Sequence, residues 1–125
     1  MNNDRAAQGS SSNEGGNVVL IAAAQWGSGE AELGRLLLRN FLNTLKDVEP
    51  RPAAILFVNE GVKLTVEGSP LLEPIGELST QGVEILSCGT CLDYYHLKEK
   101  VRAGRITNMH DIVTRLSNAK RVIRP

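Results

Sequence analysis

Two uninterrupted apolar runs, at residues 18–24 and 53–58, restrict the fold of this 125-residue chain more than any other feature. Neither run alternates apolar with polar side chains, a pattern typical of strands that are buried on both faces of a parallel sheet. Between them, apolar residues recur at helical spacing over residues 30–45. The sequence therefore predicts a helix that covers a parallel sheet, which places the chain in the α/β class.

The rest of the chain continues to alternate strand and helix patterns. Further strands are predicted at residues 83–87, 106–107 and 121–123, and further helices at residues 73–81, 92–101 and 109–116. Ser69 and Asn108 are predicted helix N-caps, and Gly82 is a predicted C-cap. The last strand is short and flanked by charge, so we expect it at an edge of the sheet.

The length of the chain is that of one domain, which we place at residues 17–125. Residues 1–16 are rich in Asn, Ser and Gly without apolar periodicity, and are expected to form a disordered tail. No apolar stretch suits a secretion signal or a membrane span, so we expect no membrane association and a cytoplasmic location.

Both cysteines lie within four residues, where Cys88 and Cys91 flank Gly89 and Thr90. The third predicted strand ends just before them, and a predicted helix follows. Amides at a helix N-terminus favour the thiolate and lower a cysteine pKa from ~8.5 toward ~3.5–7.5. The sequence thus predicts reactive thiols at Cys88 and Cys91, while a small buried cysteine that packs as an apolar residue is the alternative.

Turn residues also follow the first and second predicted strands. Because parallel α/β sheets bind ligands at the carboxyl ends of their strands, these turns should lie at the same edge as the thiols. Together they predict the rim of a substrate pocket, formed by Gly27, Ser28, Gly29, Asn59, Gly61, Gly89 and Thr90.

Several other kinds of site are not predicted. The glycines after the first strand do not fit the dinucleotide-binding spacing, and no Walker lysine is present, so no cofactor is expected. One CxxC pair supplies only two zinc ligands, and His96 and His110 do not lie at zinc-finger spacing, so no metal is expected either. Basic side chains are concentrated in residues 98–125, but the segment has few aromatic neighbours and the net charge is zero, which argues against nucleic acid.

Four segments resemble the C-terminal domain of the YedF proteins, which are sulfurtransferase-like proteins of selenium metabolism in the DsrE/TusD superfamily. The segments are residues 27–34, 57–64, 82–94 and 107–109, and the resemblance extends over about residues 17–123. It implies a flavodoxin-like three-layer sandwich with a mostly parallel sheet of about five strands (DsrE/F-like). It also implies homo- or hetero-oligomers. YedF proteins normally begin with a TusA-like carrier domain, where this chain has residues 1–16.

In that superfamily the cysteine that carries persulfide sulfur ends a strand after a Gly-Val pair, which is the position of Cys88. Cys91 matches only the narrower YedF-like motif. The resemblance therefore implies sulfur relay or selenium metabolism in which Cys88 accepts sulfur and passes it on. The implied partners are sulfur donor and acceptor proteins, such as a TusA-like carrier or a cysteine desulfurase, and further copies of the chain in a homo-oligomer. Two alternatives are a dithiol redox protein that uses both cysteines, and a non-catalytic oligomeric binding module.

Overall fold

A computed structural model describes residues 16–125 of the chain, so residues 1–15 of the predicted disordered tail lie outside the described residues. The strands are β1 (Asn17–Ile21), β2 (Ala54–Phe57), β3 (Glu84–Cys88), β4 (Arg105–Thr107) and β5 (Arg121–Ile123). The helices are α1 (Ala31–Leu45), α2 (Leu72–Thr80), α3 (Gly89–Tyr94) and α4 (Met109–Asn118), with short 3₁₀ helices at Asn59–Thr65 and Lys98–Lys100.

Within residues 16–125 the sheet has five strands in the order β4-β3-β2-β1-β5, and every neighbouring pair is parallel. Parallel crossovers are right-handed, so the advance from β1 to β3 places α1 and α2 on one face, where they pack together. The return from β4 to β5 then places α4 on the opposite face. The predicted α/β class and the five-stranded sheet are confirmed.

The core of the fold lies in the central strands. Every residue of β2 is buried, as the uninterrupted apolar run predicts, and Leu38 and Leu42 of α1 cover the sheet. Leu33 and Leu37 of the same helix are 53% and 40% exposed. Their helical positions lie on the flank of the buried stripe, so the apolar face of α1 is wider than the sheet surface it covers.

The predicted helix over residues 92–101 is wrong in its extent, because α3 ends at Tyr94. The next turn closes with His96 in the left-handed conformation (φ 60°). The amide of His96 donates to the Asp93 carbonyl, and the amide of Leu97 donates to the Leu92 carbonyl. This is the double hydrogen bond that ends many helices, with histidine in the place where glycine is usual.

Two of the three predicted helix caps are confirmed. Asn108 Oδ1 accepts a hydrogen bond from the Asp111 amide at 2.8 Å, and Gly82 follows α2 with φ 96°. Ser69 Oγ accepts instead from the Leu71 amide, one residue before α2 begins, so it caps the preceding turn. None of the helices within residues 16–125 is long and apolar enough to cross a membrane.

Candidate thiol site

The two thiols occupy different environments at the carboxyl end of β3. Cys88 is the last residue of β3 and is 1% exposed, so it belongs to the hydrophobic core. Cys91 is the third residue of α3 and is partly exposed. Neither cysteine is in a disulfide. The thiol that external molecules can reach most directly is therefore Cys91, although the sequence pointed to Cys88.

A backbone amide from the neighbouring connection is directed at the Cys91 sulfur. Asn59, which begins the 3₁₀ helix after β2, donates its N–H to Cys91 Sγ at 3.1 Å. Asn59 has the left-handed conformation (φ 50°), which asparagine tolerates better than most residues. The Tyr95 hydroxyl donates to Asn59 Oδ1 at 3.0 Å. These two hydrogen bonds connect α3 and the residue directly after it to the 3₁₀ helix.

Burial governs the acidity of Cys91. It raises the pKa of the Cys91 thiol, the Asn59 amide opposes that change, and the neighbouring Cys88 thiol adds to it. The net pKa lies above the ordinary cysteine value, so Cys91 is a neutral thiol at pH 7. The sequence predicted that helix amides lower this pKa, and at Cys91 that prediction is wrong, because the cost of burial outweighs the backbone N–H groups that favour the thiolate.

Two lysines and an aromatic pair lie near residues that neighbour the thiols. Lys63 Nζ lies 4.5 Å from the centre of the Tyr95 ring and 3.4 Å from a Glu60 carboxylate oxygen. Tyr95 in turn packs edge-to-face with Tyr94. On the other side, a Cβ on Gly89 would lie 4.0 Å from Cε of Lys98. The sequence did not point to Lys63 as a site residue. Among these residues, only Tyr95 could have been found from a local pattern, because it follows Cys91 by four residues, the spacing of neighbours on one helical face.

The glycines predicted to shape a pocket rim have different roles. A Cβ at Gly61 would lie 2.2 Å from the Ile21 carbonyl oxygen, so Gly61 allows the end of β1 to approach the 3₁₀ helix. A Cβ at Gly89 would lie 3.2 Å from the Thr107 carbonyl oxygen. Both glycines permit close approach of neighbouring backbones. Thr90 is exposed between the thiols.

The loop at Gly27, Ser28 and Gly29 lies apart from these contacts. It is exposed, and the Trp26 amide anchors its start by donating to the Gly34 carbonyl at 3.0 Å. The hydrogen bonds that build the thiol site come from Asn59 and Tyr95 rather than from this loop. The part of the rim predicted after β1 thus remains a prediction.

The chemistry available at this site is that of sulfur. Among residues 16–125, no group of three or more His, Cys, Asp and Glu side chains is arranged to hold a metal ion. The site offers a buried thiol, a partly exposed thiol beside it and one peptide N–H on the outer sulfur. This arrangement suits nucleophilic attack by sulfur and exchange between the two thiols.

Comparison with known proteins supports the fold and assigns a family. The ychN protein from E. coli superimposes with a TM-score of 0.70 at 15% identity, over 88% of this chain and 98% of that one. A protein of unknown function from Methanobacterium thermoautotrophicum, MTH1491, gives 0.61 at 22% identity, over 87% and 98%. No curated protein matches significantly. A sequence model described as the DsrE/DsrF-like family matches residues 5–125. The chain belongs to the DsrE/DsrF-like family.

Proposed function

We propose that this protein is a sulfurtransferase-like persulfide carrier of sulfur relay or selenium metabolism, with Cys88 and Cys91 as its sulfur-carrying groups. The observation that carries the proposal is the pair of free thiols at the carboxyl end of β3, one buried and one reachable, with the Asn59 amide on the outer sulfur. Membership of the DsrE/DsrF-like family and the resemblance to YedF proteins support it.

The difference in burial suggests an order for the two thiols. The small fraction of Cys91 that is ionised attacks the outer sulfur of a donor persulfide; a new S–S bond forms, the donor S–S bond breaks, and the donor leaves as a thiolate. Cys88 then takes the sulfur from Cys91 by the same exchange and holds it as a persulfide. Because Cys88 is 1% exposed, the sulfur that it holds is shielded from other thiols in solution. Delivery to an acceptor thiol reverses these steps.

Intact-mass analysis after incubation with a cysteine desulfurase and cysteine tests this function. The wild type should gain one sulfur, Cys91→Ser should gain it more slowly, and Cys88→Ser should hold it only briefly. A stable adduct in Cys88→Ser, equal to that of the wild type, would contradict the role of Cys88 as the holder. Absence of an adduct in every form would contradict the carrier function itself.

Dithiol redox chemistry is a second candidate, because the Cys88 thiol is close enough to raise the Cys91 pKa. A redox protein of this kind would form a disulfide between the two cysteines and reduce insulin disulfides. Cys91→Ser should abolish that reduction, whereas a carrier should still accept sulfur on Cys88. The insulin assay therefore separates the two functions.

We also propose that the protein works as a homo-oligomer in the cytoplasm, where both thiols stay reduced, with a TusA-like carrier or a cysteine desulfurase as donor. Leu33 and Leu37, one turn apart on α1, support the oligomer together with Trp26, which packs on Phe41 of the same helix, because all three large apolar residues are exposed. Light scattering on the double variant Leu33→Lys and Leu37→Lys should give the mass of one chain. An unchanged mass would contradict this interface.

If a variant lacking both thiols keeps all partner binding and biological activity, the protein is a non-catalytic binding module instead.

A further inference from the structure

A cleft of about 560 Å³ opens between α1 and the chain at residues 63–71. Its volume is within the range of small-molecule sites, which runs from about 300 to about 1,000 Å³. Apolar side chains supply much of its wall, namely Ala24, Leu36, Leu64 and Leu71. Ala24 follows β1 and Leu64 follows β2, so the cleft lies beyond the carboxyl ends of these strands, where parallel α/β sheets bind ligands. We refer to it as the α1 cleft.

Two arginines line the α1 cleft without a protein partner. Arg35 and Arg39 lie one helical turn apart on α1, and neither forms an ion pair or a side-chain hydrogen bond within residues 16–125. Guanidinium groups stay charged at all physiological pH values, so the two groups repel each other weakly at this spacing. Both side chains are exposed, so water solvates them in the free protein and their N–H donors are available to an anion.

The acidic residues of the cleft form no ion pair with these arginines in the described chain. Glu67 is engaged elsewhere, because Arg102 Nη2 lies 2.8 Å from its carboxylate. Glu32 lines the cleft but forms no ion pair with Arg35 within the described chain. The wall therefore combines an apolar surface with a pair of arginines that can bind one acidic group through paired N–H donors.

We propose that the α1 cleft binds a small molecule with an apolar body and one carboxylate or phosphate group. Arg35 and Arg39 hold the acidic group, and the apolar body lies against Leu36 and Leu64. Lys63 also lines the cleft and contacts the Tyr95 ring, which places the ligand next to the thiol site. This inference goes beyond the carrier function and does not depend on it.

The experiment uses two fluorescent probes that differ mainly in charge. Anilinonaphthalene sulfonate has an aromatic body with one sulfonate, and N-phenylnaphthylamine has the same body without the acidic group. We expect the full chain to bind the sulfonate saturably. The double variant Arg35→Gln and Arg39→Gln should lose about tenfold in affinity for the sulfonate, because charged hydrogen bonds are removed. Its affinity for the neutral probe should be unchanged.

A matched control removes two positive charges elsewhere. The double variant Arg121→Gln and Arg124→Gln has the same net charge change, and it should bind the sulfonate as the wild type does. Leu36→Glu places a carboxylate in the cleft at a half-exposed position, so folding should be preserved and affinity for both probes should fall. Circular dichroism checks the fold of each variant.

Four results would overturn the proposal. The first is that the wild type does not bind the sulfonate saturably, and the second is that the Arg35 and Arg39 double variant binds it with the affinity of the wild type. The third is that the Arg121 and Arg124 control loses as much affinity as that double variant, and the fourth is that affinity for the sulfonate falls as protein concentration rises. The last would show that a second copy of the chain occupies the cleft. Displacement of the bound sulfonate by octanoate or by octyl phosphate then identifies the natural acidic group as carboxylate or phosphate.

Discussion

The amide of Asn59 lies 3.1 Å from Sγ of Cys91 and donates a hydrogen bond to it, across two connections that are distant in the sequence. The same residue receives the Tyr95 hydroxyl on its side-chain oxygen. Asn59, in the connection that follows β2, therefore contacts both the Cys91 sulfur and Tyr95, the residue directly after α3. A peptide N–H on sulfur favours the thiolate over the thiol, so the orientation of Asn59 affects the reactivity of Cys91.

The Tyr95 hydroxyl should influence the acidity of Cys91 without contacting it. In a Cys88→Ser background, Tyr95→Phe should raise the Cys91 pKa by up to about one unit, since a hydrogen bond that orients Asn59 contributes about 0.5–1.5 kcal/mol. The pH dependence of iodoacetamide alkylation measures this pKa. Tyr94→Phe is the matched control, because Tyr94 is 77% exposed, and it should cause no change. Equal midpoints in Tyr95→Phe and its parent would mean that the hydroxyl does not orient the amide.

The raised pKa of Cys91 should appear in two pH profiles. Alkylation should quicken about tenfold per pH unit and continue to rise above the pH at which an ordinary cysteine is fully ionised. The pKa of this thiol is higher in the folded chain than in the unfolded chain. The contribution of Cys91 to the free energy of unfolding is therefore complete below its unfolded-state pKa and is lost as pH rises through its folded-state pKa. Urea unfolding from pH 7 to pH 10 should show a larger loss of stability in the wild type than in Cys91→Ser. Parallel losses would contradict the raised pKa.

The close approach at Gly61 should make this position intolerant of any side chain. Gly61→Ala places a methyl group against the Ile21 carbonyl, and we expect a loss of about 1–3 kcal/mol in unfolding free energy. Gly76→Ala is the control within α2, where a Cβ would have no neighbour within 4 Å. It should be neutral or stabilising by up to about 1 kcal/mol. A Gly61→Ala protein as stable as the wild type would show that β1 and the 3₁₀ helix can separate at no cost.

An ion-pair network attaches α4 to the sheet and should weaken in acid. Arg115 Nη1 lies 2.6 Å from Glu84, and Arg115 Nε lies 3.0 Å from Asp111. Burial raises the carboxyl pKa values of Glu84 and Asp111, but hydrogen bonds from Arg115 and other neighbours outweigh it, so both lie below their usual range. The resulting stability is present above pH ~4 and is lost as pH falls through the folded pKa values.

Arg115→Met should therefore destabilise the protein by about 1 kcal/mol at pH 7, and this difference should shrink below pH ~4. Denaturant unfolding at several pH values measures both effects. Arg102→Met, which removes a more exposed pair with Glu67, should cost less than about 0.5 kcal/mol. A loss for Arg115→Met that is independent of pH would indicate lost packing rather than lost charge pairing.

The apolar runs were sufficient to predict the central strands, because a strand buried on both faces cannot tolerate polar residues. The position of the thiols at the carboxyl end of β3 followed from the same pattern. Their difference in exposure did not, since residues 85–88 of β3 are buried on both faces and alternation therefore gives no direction for Cys88. The contact between Asn59 and Cys91 joins residues far apart in the chain, so no local pattern contains it.

The ends of elements were harder to predict than the elements. α3 stops where His96 adopts a left-handed conformation that glycine or asparagine would have signalled, and histidine gives no such signal. The apolar positions of α1 predicted a helix correctly, but they did not separate Leu38, which faces the sheet, from Leu33, which faces outward. Helical periodicity identifies an apolar stripe and not which part of it the sheet will cover.

The place of β5 beside β1 has a consequence for synthesis of the chain. β1 is made early, and β2 can pair with one of its edges soon afterwards, but Val18 meets Val122 on the other edge only when nearly the whole described chain has emerged. Until then the apolar strand presents unpaired backbone groups to other nascent chains. Loss of β5, through a stop codon or a protease, would make that temporary exposure permanent. Such a chain should be recovered largely in aggregates.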